Sequence, residues 1–173
     1  MINFYTYDRI TDPNMADKIV EFSTATGKRF VGTKGLNVFY RNVLEEKNDD
    51  HQLYGVTDQN GDIKALTIWF VIGNVAKLKF ISSMDGELGL SIKKGIFNKA
   101  VNCITEKNPK VKFATTDVSV DSDNLEFFKD LGFVSEKRQD TEMEMLPKRW
   151  NYPQLSEVVS LKKRLTERRS FFR

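Results

Sequence analysis

Asp121-Ser122-Asp123-Asn124-Leu125-Glu126-Phe127-Phe128-Lys129-Asp130-Leu131-Gly132-Phe133 reads as a short helix with both of its ends specified. Asp123 is placed to accept hydrogen bonds from the first-turn amides, and Glu126, three residues on, completes a box-like start. Gly132 supplies the positive φ that a helix terminus calls for, and Phe133 can fold back over the last turn. Lys110 to Val120 precedes it as a strand-like run, and Ser135 to Met145 follows it as another. Strand, helix, strand is what these residues specify; alone they specify no activity.

The rest of the chain extends that unit. Ile2 to Tyr7 reads as a first strand, and Pro13 suits the first turn of a helix that places Ala16, Ile19, Val20 and Ser23 on one face. A glycine-containing basic loop, Lys28 to Gly35, leads to an amphipathic helix over Leu36 to Lys47. Gln52 to Thr57 and Ile63 to Ile72 flank Asn60-Gly61, a hairpin signal, and Gly73-Asn74 turns the chain into Val75 to Ser83. Ile92, Ile96, Ala100, Cys103 and Ile104 trace one face of a long helix that ends at Asn108-Pro109. The predicted order is β-α-α-β-β-β-α-β-α-β, an α+β fold built on a mixed sheet.

Composition bounds the rest. At 173 residues, 40% hydrophobic and 12% aromatic, the chain is large enough for a full core and is not a disordered polymer. No apolar run approaches the roughly 20 residues of a membrane span, so no membrane partner is expected. The single cysteine, Cys103, excludes an internal disulfide and fits a reducing compartment, and a cytoplasmic location is the expectation. One histidine, His51, gives little support to a His-rich metal site, and none is predicted. Charge is uneven: Lys148 to Arg173 carries eight Lys or Arg against two Glu, while the remainder has 19 basic and 22 acidic residues. An acidic body (residues 1–146) with a basic appended segment (147–173) is the predicted organisation. Leu155, Val158, Val159, Leu161 and Leu165 read as the apolar face of a basic C-terminal helical extension. Lys162, Lys163, Arg164, Arg168 and Arg169 would then face a protein partner or nucleic acid, or simply solvent.

The helix that ends in Leu131-Gly132-Phe133, set in this element order, resembles the last motif of the Gcn5-related N-acetyltransferase (GNAT) superfamily. The family pattern is N-x-x-A-x-x-x-Y-x-x-x-G-F. Counting back from Gly132, Phe128 stands at the tyrosine position, Asn124 at the small-residue position and Asp121 at the asparagine position. The resemblance covers Met1 to Leu146 and implies a GNAT-like acyl-CoA N-acyltransferase fold, with acetyl-CoA as cofactor and a small-molecule or protein amine as acceptor. It implies a cofactor loop after the fourth strand, of the form Q/R-x-x-G-x-G/A. Two registers are open: Gly86-Glu87-Leu88-Gly89-Leu90-Ser91, preferred because it lies nearer the strand, and Ile92-Lys93-Lys94-Gly95-Ile96-Phe97. The cofactor residues implied are Gly86, Gly89, Ser91, Lys93, Lys94, Asn124 and Phe128. A glycine-rich helix start suits a pyrophosphate because free amides and the helix dipole converge there; the Glu87 carboxylate opposes it. Phe128 has no proton to give a leaving thiolate, so direct transfer with Asp117 as base, acting through water, is the catalytic expectation. The same departures leave open a second reading, a catalytically silent adaptor that docks through its basic tail.

Overall fold

The computed structural model describes residues 4–26, 33–45, 50–119, 122–136 and 158–165. Seven strands among them form one sheet in the order β1-β2-β3-β4-β5-β7-β6. β1 (Thr6–Arg9), β2 (His51–Thr57), β3 (Ile63–Ile72) and β4 (Val75–Ser83) run as an antiparallel meander. The β2–β3 turn closes where Asn60-Gly61 predicts: Asp58 Oδ1 accepts from the amides of Asn60 and Asp62 at 2.9 and 3.0 Å. β5 (Phe113–Ser119) lies parallel to β4, reached through α3 (Gly86–Lys107). α1 (Ala16–Thr26), preceded by a single 3₁₀ turn at Pro13–Met15, and α2 (Thr33–Glu45) form the first helical pair.

The sheet separates two cores. Ile19 and Val20 of α1 and Tyr40 and Leu44 of α2 close on Leu53, Leu66 and Ile68. On the opposite face Ile92, Ile96, Ala100 and Ile104 of α3 close on Ala76, Leu78 and Ala114. α4 (Asn124–Asp130) adds Phe127 and Phe128 to this second core, where Phe97, Phe127, Phe128 and Phe133 meet edge to face at 5.2 to 6.5 Å. Edge-to-face contact places each ring's positive rim against a neighbour's negative face.

α4 ends as its sequence predicts and starts differently. Gly132 has φ +92° and Phe133, buried, donates its amide to the Phe128 carbonyl at 3.0 Å. Asp123, however, has helical backbone and makes no side-chain cap. Ser122 Oγ takes that role and accepts from the Asn124 amide at 3.1 Å. The cap sits one residue earlier than expected because Asp123 is already inside the turn.

The basic C-terminal helix is overturned. Val158–Arg164 is a strand, β7, inserted between β5 and β6 (Val134–Glu136) and antiparallel to both. A boundary after residue 146 therefore divides strands of one sheet. The two-residue alternation that permits this is present: Leu161 is buried on one side, and Ser160, Lys162 and Arg164 share the other. Strand placement separates the adjacent lysines. Lys162 lies over the Phe113 ring at 4.4 Å on one face; Lys163 on the other donates to the Leu131 carbonyl and approaches the Phe97 ring at 5.9 Å. Their stems cover aromatic surface while each ammonium finds electron density, so a Lys-Lys-Arg run is tolerated inside a sheet. Arg168 and Arg169 lie outside the described residues, as do Asp121, most of the predicted final strand and the connector between them and β7.

Candidate functional site

The site begins with a failure of pairing. β4 and β5 are in register from Val75↔Phe113 to Leu78↔Thr116 and no further, although β4 continues to Ser83 and β5 to Ser119. Thr116 Oγ1 donates to the Leu78 carbonyl at 3.2 Å and closes the last paired rung. The cause lies on the other edge of β4. Trp69 pairs with Leu78 and Ile68 with Phe80, so Lys79 is an extra residue with no counterpart on β3. Such a bulge bends its strand and increases the twist, and it sits one residue past the last β4–β5 pair. Beyond it the two parallel strands present backbone polar groups to a gap.

α3 starts at one mouth of this gap. Gly86 has φ +93° with open space around it, and Asp85 makes no side-chain cap. The first-turn amides of Gly86, Glu87 and Leu88 therefore have no intrahelical acceptor. Ser91 and Lys94 are exposed beside them, as are Leu88 and Leu90. The first sequence register thus occupies the helix start. The second, Ile92 to Phe97, is helix interior: Ile92, Ile96 and Phe97 are core, and Gly95 accommodates the Tyr7 ring.

The remaining predicted residues divide. Gly89 is buried, and a Cβ there would stand 1.7 Å from the Met84 carbonyl oxygen, so this glycine answers to packing. Lys93 turns away from the helix start: its ammonium donates to Asn124 Oδ1 and lies 4.4 Å from the Phe127 ring centroid. Burial lowers its pKa, with Asp123 opposing that effect. Lys93 and Asn124 are brought together, but as a tie between α3 and α4. Phe128 is 1% exposed and belongs to the aromatic core, so it does not line the gap.

Asp117 lies on the other face of the sheet, one residue past the last rung. Its carboxylate pairs with Lys77 Nζ at 3.5 Å and accepts from Ser160 Oγ at 2.9 Å. Lys79 lies 5.9 Å from the Phe70 ring centroid, Phe70 packs on His51 at 4.7 Å, and Phe39 of α2 meets the imidazole edge to face at 5.7 Å. Sequence alone marks Lys77 and Lys79 only by their i, i+2 spacing in a strand.

His51 is more than a surface histidine. Burial first, then Lys79, lowers its pKa from 6.5, against a smaller raising effect of Asp50. A depressed histidine leaves folding unaffected above pH 6.5, where both states are neutral, and opposes it as the pH falls through the folded value. His51→Phe, which keeps a ring against Phe39 and Phe70, is expected to flatten the decline in melting temperature below pH 6.5. Parallel melts of the two proteins from pH 8 to 5 check this; equal slopes would contradict it.

This arrangement of sheet, gap and helix start defines the GNAT acetyltransferase fold. The E. coli ribosomal-protein-S18-alanine N-acetyltransferase superposes with a TM-score of 0.68 at 13% identity, over 98% of this chain and 100% of that one. The PaiA N-acetyltransferase of Thermoplasma acidophilum, in complex with coenzyme A, gives 0.66 at 12% identity over 94% and 99%. Mutant forms of the spermidine/spermine N-acetyltransferase SpeG of Vibrio cholerae give 0.65 at 12% identity over 92% and 93%. No protein-family model and no curated protein matches the sequence. The likeness is one of fold, carried by few shared residues. Among the described residues no helix is long and apolar enough to cross a membrane.

Proposed function

We propose that the chain is an acetyl-CoA-dependent N-acetyltransferase that transfers its acyl group directly to a bound amine. The observation that carries this reading is the early end of β4–β5 pairing at Leu78–Thr116, which leaves an edge suited to an extended, amide-bearing arm. The uncapped start of α3, with Gly86 open and Lys94 exposed, suits a pyrophosphate. When bound, acetyl-CoA supplies a thioester whose carbonyl carbon gains the amine nitrogen as the bond to sulfur breaks. β4 amides beyond Lys79 that face the gap serve to polarise the carbonyl. Asp117, fixed by Lys77 and Ser160, is the candidate to take the amine's proton through water. Phe128 offers no proton, so the thiolate draws one from solvent.

Calorimetric titration of acetyl-CoA into the protein tests this directly. Saturable binding is expected, and Lys94→Glu should weaken it roughly three- to ten-fold at low salt, less at high salt. Absence of heat together with absence of a thermal shift would overturn the transferase reading. The chain would then be an acetyltransferase-fold adaptor, a reading to which the buried, non-ionisable Phe128 already lends weight.

A further inference from the structure

We propose that the acceptor amine carries an anionic group, a carboxylate or phosphate, received by Lys79 and Lys77 at the mouth of the β4–β5 gap. This rests on the transferase reading and names the substrate class of the same site. The helix start that suits the cofactor lies with α3, on the face of the sheet that holds Leu78 and Ala114. An amine must therefore reach the gap from the opposite face. There β4, β5 and β7 present Lys77, Lys79, Asp117, Ser160, Lys162 and Arg164, and Lys79, Asp117 and Arg164 are exposed.

The charges on that face do not balance. On β4, β5 and β7 Asp117 is the one carboxylate of that face among the described residues, and it is already engaged by Lys77 and Ser160. Glu136 of β6 stands at the register position opposite Ser160, so four cations share the face with two carboxylates. Lys79 has no carboxylate within salt-bridge distance among the described residues, and its ammonium lies 5.9 Å from the Phe70 ring centroid. Burial and then Lys77 lower the Lys79 pKa, with Asp117 opposing, and His51 packs on Phe70. An anion between the two ammonium groups relieves their mutual repulsion and gains charge-assisted hydrogen bonds. The same cations disfavour a polycationic acceptor. They also lower the pKa of an incoming ammonium, which raises the fraction of free amine able to attack.

The test compares glutarate with cadaverine, five-carbon chains ending in carboxylates or ammonium groups, at constant ionic strength. Each is titrated into the ¹⁵N-labelled full chain, with and without coenzyme A. Glutarate is expected to shift the amides of residues 77–81 and 115–118 saturably, and Lys79→Glu to abolish the shift; cadaverine is expected to leave them unmoved. With acetyl-CoA, an acid-bearing amine should exceed its neutral amide by roughly ten-fold in kcat/KM, as loss of one charge-assisted hydrogen bond implies. Silence toward glutarate, a response to cadaverine, or a glutarate response that survives Lys79→Glu each overturns the proposal. Failure of coenzyme A to bind, read separately by calorimetry, removes the transferase reading while the glutarate result still decides the anion site.

Discussion

Ending the chain at Glu157 is expected to leave no cooperatively folded protein. The deletion removes β7, which pairs with β5 along its whole length and with all of β6. Leu161 and Leu165, 1% and 8% exposed, would be lost, about 3–6 kcal/mol of apolar burial together. Leu165 also donates its amide to the Lys112 carbonyl at 2.8 Å, and Lys163 closes the end of α4 at Leu131. The edge of β5 would be stripped of partners at the same time, and a domain has only about 5–15 kcal/mol of net stability. A melt with no transition, or an insoluble product, is the expected readout. In the full chain, Leu161→Ala should cost about 3 kcal/mol and Arg164→Ala, on the exposed side, under about 0.5 kcal/mol. A truncated protein that melts sharply would refute this. Removing the tail therefore does not test docking, because it tests folding first.

Gly89→Ala should destabilise the protein by about 3 kcal/mol, lowering the melting temperature by roughly 6–12 °C. The added Cβ meets the Met84 carbonyl oxygen at 1.7 Å and its carbon at 2.7 Å. Backbone cannot step aside as a side-chain tip can, and Met84 is held by its amide's bond to the Lys64 carbonyl at 2.8 Å. Either the start of α3 or the end of β4 must move. Gly86→Ala is the contrast: nothing lies within 4 Å, and the cost is only that of a φ of +93°, about 1–2 kcal/mol. Circular dichroism melts of the two variants check the order, and equal losses would refute it. A cofactor-binding defect in a Gly89 variant reports the fold of the helix start before it reports a ligand.

Local punctuation was the legible part of this fold. Asn60-Gly61 and Gly73-Asn74 delimit β3 and β4, and both strands have the bounds read from sequence. Gly132 likewise marks the end of α4 because positive φ is a demand a single residue meets. What escaped depends on distant partners. Val158 to Leu165 carries helical and strand periodicities at once, and only the vacant edge of β5 and the rings of Phe113 and Phe97 select the strand. The bulge at Lys79 is a relation between β3 and β4, invisible in either alone. For the candidate site, the glycines of Gly86 to Ser91 mark the start of α3, where Gly89 packs on Met84 and Lys93 reaches Asn124 of α4. A motif names residue types; which way each points was left to the core.

The position of β7 in the sheet sets a schedule for the living chain. Translation completes β5 at Ser119 and reaches Val158 39 residues later, an interval of about 2–8 s at ordinary elongation rates. Throughout it β5 carries an open edge, and β6 has no neighbour on which to dock. Synthesis thus exposes an adhesive strand until β7 itself has been read, and holding that edge apart from other nascent chains falls to chaperones.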